Sequence, residues 1–207
     1  MKIFYCNINE FDDLAGIELL SSDRRTRVER YRALSSKKEC LTAGLLLRMV
    51  LGADYESRLC ANVHGKPQLK NENLFFNLSH SGNYVVLAVS DNEIGIDIEK
   101  IASYNWNVVE KCCTVNEKEW LKQQSNEQAF YHLWTGKEAV MKATGLGFSI
   151  KPESFDLLPI ENGAHEIHDL IWYLTWFELD RHQICIASAC DEKMELIAVR
   201  REALLKV

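Results

Sequence analysis

The chain has 207 residues, 47% hydrophobic and 26% charged, which is globular composition and excludes a disordered or fibrous protein. Thirty acidic residues against 24 basic ones give a formal charge of −6, which argues against a global nucleic-acid footprint and leaves room only for a local basic patch. The seven cysteines, at 6, 40, 60, 112, 113, 185 and 190, include no C-x-x-C pair. They predict reduced, mostly buried thiols rather than a disulfide framework or a zinc ribbon. No signal-peptide core precedes the polar run Asn7 to Asp13, and the longest uncharged stretch, 73–90, is broken by Asn77, Ser79, His80 and Asn83. A soluble, cytoplasmic protein without a membrane span is the expectation.

Lys2 to Ile8 alternates as a strand does. Ser21-Ser22-Asp23 offers N-caps for a basic helical segment, Arg24 to Arg32, and Ser36 with Glu39 predicts a capping box for a helix that carries Leu41, Leu45, Leu46, Met49 and Val50 and stops at Gly52. Arg58 to Glu99 reads as short β segments, with Tyr84 to Val89 a buried central strand. Helices then return. Thr114 with Glu117 and Ser125 with Gln128 predict two more capping boxes, the second opening a helix that runs to about Thr144 and ends at Gly145. Strand-like runs follow at Ser154 to Leu158, Leu170 to Leu179, His182 to Ala189 and Glu195 to Arg200. Each half, 1–101 and 102–207, is helix-rich first and strand-rich afterwards, which predicts an α+β architecture of two similar halves.

Three segments can carry chemistry. In Ile94-Gly95-Ile96-Asp97-Ile98-Glu99 a period of two puts Gly95, Asp97 and Glu99 on one face, two carboxylates beside a residue without a side chain. Magnesium suits such a site, because it takes one or two carboxylates and keeps positions for water and phosphate. The plain alternative is a solvated acidic strand face. On the second long helix Trp134, Glu138 and Lys142 are four apart and share a face, so Glu138 can add a carboxylate and Lys142 can offset phosphate charge. The plain alternative is an exposed Glu–Lys pair with Trp134 in the core, and Lys137 on this helix is expected to point away from the site. Phe75 to Gly82 reads as a strand entering a turn, where Ser79 and His80 offer donors to phosphate. Lys66, in Gly65-Lys66-Pro67, and the cluster around Arg24 and Arg27 are further phosphate candidates. No P-loop, nucleophile elbow, G-x-G-x-x-G or H-E-x-x-H occurs.

In order along the chain, G-K-P, F-N-L-S-H-S, G-I-D-I-E and W-T-G-K-E-A-V-M-K resemble the Sfp-type 4′-phosphopantetheinyl transferases, over roughly Ser21 to Gly147. The resemblance implies a pseudo-dimer of two α+β halves with the active site in the cleft between them. It also implies transfer of phosphopantetheine from coenzyme A to a serine of an apo acyl, peptidyl or aryl carrier protein, releasing adenosine 3′,5′-bisphosphate. Carried over by position, Asp97, Glu99 and Glu138 match the magnesium carboxylates and Lys142 a donor-phosphate contact. Lys66, Ser79 and His80 match coenzyme A phosphate contacts, and Arg24 and Arg27 the nucleotide end. Cys112-Cys113 stands where the family has an aromatic pair, and Cys40 where it has a threonine. A monomer with internal pseudo-symmetry, binding no nucleic acid and no membrane, is implied. Complete retention of Asp97, Glu99, Glu138 and Lys142 argues against a non-catalytic coenzyme A or nucleotide-binding regulator on the same fold, and the ordered set of four motifs argues against a plain α+β interaction module.

Overall fold

Strand and helix periodicity sort the chain as follows. The structure, a computed structural model, describes residues 1–206, Phe148 by its backbone alone. It runs through β1 (Lys2–Asn7), α1 (Ser22–Arg30), α2 (Leu34–Leu51), α3 (Tyr55–Arg58), β2 (Leu59–Ala61), β3 (Pro67–Leu69), β4 (Phe75–Ser81), β5 (Tyr84–Ser90) and β6 (Ile94–Lys100). It continues with α4 (Trp106–Cys112), α5 (Val115–Lys122), α6 (Gln128–Thr144), β7 (Gly163–Ile167), β8 (Leu170–Leu179), β9 (His182–Ser188), β10 (Glu195–Ala198) and α7 (Arg201–Leu204).

Local signals fix several ends. Ser21 Oγ accepts from Arg24 N and caps α1, and Thr114 with Glu117 forms the expected reciprocal box on α5. Gly52 and Gly145, both at positive φ, end α2 and α6. Three expectations are corrected. Helix α2 starts at Leu34 with no side-chain cap, so Ser36 lies inside it; packing of a long apolar face, rather than a local cap signal, sets where a helix can extend. Helix α6 has Glu127 at its N-cap with no side-chain cap, and Asn126 Oδ1, not Ser125, accepts from Ala129 N in its first turn at 3.1 Å. Residues 154–158 form no strand, because Leu157 N donates to the Glu117 carboxylate and not to a β ladder.

Two four-stranded sheets form, in orders β10-β1-β5-β4 and β6-β9-β8-β7, with β2-β3 a separate ribbon. The alternation of β5 shows how they stack. Val85, Leu87 and Val89 pack with Leu41, Leu45 and Leu46 of α2, whereas Tyr84, Val86 and Ala88 pack with Ile94, Ile96, Ile98, Ile184 and Ile186 of the other sheet. On that sheet's far side Cys185 and Ala187 meet Leu133 and Val140 of α6. The layers are therefore helix, sheet, sheet, helix: two α+β halves joined face to face, as the resemblance implies. A strand crosses each way between sequence and sheet. β6, which precedes residue 101, belongs to the second sheet, and β10, near the chain's end, pairs parallel with β1 in the first.

Edge strands β4 and β6 meet at a seam between the halves. Alternate β4 side chains serve β6 in place of a backbone ladder: Asn77 Oδ1 accepts from Ile96 N at 2.9 Å, Ser79 Oγ donates to Asp97, and Ser81 Oγ donates to Glu99 and accepts from Lys100 N. Backbone groups at a buried edge need partners, and the polar residues of F-N-L-S-H-S supply them.

Candidate active site

The face of β6 that carries Gly95, Asp97 and Glu99 looks onto α6. Gly95 is where the helix touches: a Cβ there would stand 2.0 Å from Ala139 O and 2.4 Å from Ala143 N. The space opposite Gly95 is thus filled by helix backbone. What this close approach does is bring Glu138 and Lys142, on α6, to the acidic strand.

Asp97 is buried. Its Oδ1 accepts from Lys142 Nζ at 2.6 Å and from Ser79 Oγ at 2.8 Å. Lys142 Nζ also donates to Ser79 Oγ at 3.0 Å and to Ile96 O at 3.3 Å. Glu99 accepts from Ser81 Oγ at 2.9 Å, and Trp134 packs against the core of the second half. Burial raises the pKa of all three carboxyls, Asp97, Glu99 and Glu138. The Asp97 charge raises Glu99 and Glu138 further, while Lys142 pulls each of the three back down.

Among the described residues no three acidic, histidine or cysteine side chains already converge as a closed metal-ligand set. Magnesium does not require one, since it keeps most of its shell for water and phosphate. The chemistry of the donors suits it. Asp97 Oδ2 is buried without a well-formed hydrogen-bond partner, and two further carboxyls are held beside it against their own repulsion. These residues fit a hard divalent cation.

Beside this seam opens a cleft of about 450 Å³ lined by Arg24, Arg27, Cys40, His80 and Asn77, among others. Strand alternation splits the Ser79-His80 pair: Ser79 turns inward to Asp97, and half-exposed His80 turns into the cleft, its Nδ1 3.6 Å from Glu39 Oε2. Arg24 and Arg27 come from α1 and Cys40 from α2, so two helices away from the β6–α6 junction line this cleft, and α1 supplies its basic wall. A smaller depression of about 250 Å³ adjoins on the other side, lined by Lys66, Glu138, Met141, Lys142, Gly145 and Gly147.

Lys66 lines the same depression, and its ammonium donates to Glu93 at 2.7 Å, Ile94 O at 3.3 Å and Ala143 O at 2.8 Å, so it also acts as a strut between the halves. Cys112 and Cys113 are buried in the core of the second half. Sequence reasoning missed Asn77 and Ser81 as builders of the site, and the alternation N-x-S-x-S in β4 was the available signal for both.

The chain matches two family models in succession: residues 9–92 match "4′-phosphopantetheinyl transferase, N-terminal" and residues 93–190 the 4′-phosphopantetheinyl transferase superfamily. The junction between the matches falls just before β6. The chain is 35% identical to the 4′-phosphopantetheinyl transferase psf-1 of Bacillus pumilus, over 95% of each. It is 29% identical to the 4′-phosphopantetheinyl transferase Sfp of Bacillus subtilis, over 91% of each, and to the 4′-phosphopantetheinyl transferase ffp of the same species to the same extent. This chain belongs to the 4′-phosphopantetheinyl transferase superfamily. Its type is that of Sfp, and its general activity is 4′-phosphopantetheinyl transfer. No helix among the described residues is long and apolar enough to cross a membrane.

Proposed function

We propose that the protein transfers 4′-phosphopantetheine from coenzyme A to a serine hydroxyl of an apo carrier protein, with magnesium held by Asp97, Glu99 and Glu138. The observation that carries this reading is the meeting of two carboxylates from β6 with Glu138 and Lys142 from α6, beside a basic cleft of nucleotide size. Bound magnesium would supply positive charge against the phosphate oxygens of the donor.

The chain's own groups do the rest. Arg24, Arg27 and His80 bind the phosphates at the nucleotide end, where charge-assisted hydrogen bonds are strong. Lys142 swings or shares its ammonium from Asp97 toward a non-bridging phosphate oxygen and offsets charge that builds there during transfer. Ser79 holds Lys142 and Asp97 in register. Glu138 takes the proton of the acceptor serine, directly or through a water. The serine oxygen forms its bond to phosphorus as the pyrophosphate P–O bond breaks, and adenosine 3′,5′-bisphosphate leaves. No covalent enzyme intermediate is needed.

The test is intact-mass spectrometry of an apo carrier protein incubated with the enzyme, coenzyme A and magnesium, beside calorimetric titration of coenzyme A with and without the metal. The reading expects a phosphopantetheine mass shift on the carrier serine that is lost in excess chelator. Coenzyme A binding without any carrier modification would favour the regulator instead.

A further inference from the structure

Lys137 has no exposed surface. It lies one residue before Glu138, on the side of α6 turned away from β6, and the sequence suggests nothing for it to do. Its Nζ is 2.9 Å from Glu117 Oε2, a partner equally inaccessible. It also donates to Pro152 O at 2.8 Å and Phe155 O at 2.6 Å and lies 4.5 Å from the centre of the Phe155 ring. Glu117 is itself fully used: Thr114 N donates to Oε2 at 2.8 Å and Leu157 N to Oε1 at 2.9 Å. The pair therefore ties the start of α5, the middle of α6 and segment 152–157 to one point.

A dry ion pair is a poor way to gain stability, since well-packed apolar residues of the same volume do as well or better. What it supplies is direction, because each proton and lone pair accepts one geometry. Two features show where the direction is used. Glu138 follows Lys137 on the helix, so fixing the rotation of α6 here fixes the carboxyl that faces Asp97. The stretch 146–151, which brings Gly147 to the depression beside Glu138 and Lys142, is anchored at both ends: Asn62 Nδ2 donates to Gly145 O at 2.7 Å, and Lys137 holds Pro152 O.

We propose that Lys137, through its buried ion pair with Glu117, is a positioning residue for the transfer: it sets the rotation of α6 and the 146–151 wall so that Glu138 and Lys142 meet the reacting groups. The inference rests on the transfer reading above. It assigns no contact between Lys137 and substrate, and the coenzyme A phosphates, held by α1 and β4 in the other half, lie outside its reach.

The experiment compares Lys137→Met, Glu117→Gln and the double variant, with Glu138→Gln run in parallel. Unfolding curves and steady-state kinetics of carrier modification are measured, each variant well below its own unfolding midpoint. Folded variants are expected to lose about tenfold to a hundredfold in kcat, the scale of a misplaced reacting group, with the KM for coenzyme A unchanged. Parental kcat in a folded variant overturns the proposal, as does an equal loss in kcat and in coenzyme A affinity, which would mark general damage. If a single variant does not fold, the charge-free double decides. If none folds, amide exchange in the parental protein decides: protection of the Leu157 amide as strong as that of β9 supports the anchor, and loop-like exchange overturns it. Parental turnover in Glu138→Gln would sink the transfer reading and leave the anchor measurements standing.

Discussion

Gly95→Ala isolates the contact on which the site depends. A Cβ at this position would lie 2.0 Å from Ala139 O and 2.4 Å from Ala143 N, whereas real Cβ contacts essentially never fall below 3.0 Å. Both obstacles are helix backbone and cannot swing aside as a side-chain tip would. Helix α6 must therefore back away from β6 by at least 1 Å, which follows from the difference between those two distances. Overpacking of this kind costs about 1–3 kcal/mol, partly offset because alanine restricts the unfolded chain more than glycine does. The larger effect is on chemistry. Glu138 and Lys142 flank the two touching residues, so they retreat from Asp97 with the helix, and a misplacement of this size costs about a hundredfold in rate. Urea unfolding and carrier-modification kinetics of Gly95→Ala measure the two effects separately, and coenzyme A titration checks that the cleft of the other half is intact. A variant as stable and as fast as the parent would refute the account of how β6 and α6 form the site.

Glu138→Gln and Lys142→Met each keep side-chain length and are expected to cost on the order of a hundredfold or more in kcat, read from single-time-point carrier modification against the parent. Arg27→Ala should weaken coenzyme A by roughly tenfold to a hundredfold, the range for a charge-assisted hydrogen bond, and leave saturated turnover nearly unchanged, as titration and kinetics together would show. Stability should carry a pH signature. Burial raises the pKa of Asp97, Glu99 and Glu138 in the folded protein, so the folded form binds protons more tightly than the unfolded chain, and the cluster costs stability as pH rises from the ordinary carboxylate range through the raised values. Glu138→Gln is therefore expected to melt no lower than the parent at pH 7 and to lose any advantage in acid, where the parental carboxyl is already neutral. A lower melting temperature for Glu138→Gln at pH 7 alone would contradict that sign.

Much of the site was legible because its residues lie close along one element. Asp97 and Glu99 had to share a strand face, and Glu138 and Lys142 a helix face, since the periods of two and about 3.6 follow from backbone geometry alone. Thr114 with Glu117 announced the start of α5 by a local, reciprocal bond. The Ser36 and Ser125 boxes failed because the same residue types can sit inside a helix or a few positions before its start, and packing of the long faces of α2 and α6 decides between these.

The sequence by itself determined the two helix-then-strand halves, the acidic strand, the basic segment near Arg24 and the order of four motifs. Tertiary structure alone decided what stands opposite each residue. It made Gly95 the contact point of α6, and it joined the ammonium of Lys66 to Glu93 and two carbonyls. It buried Lys137 against Glu117 and sent β6 and β10 each into the other half's sheet. These outcomes join residues 20 to nearly 200 positions apart. Local periodicity records which way a side chain points, and only the packed chain fixes what it meets there.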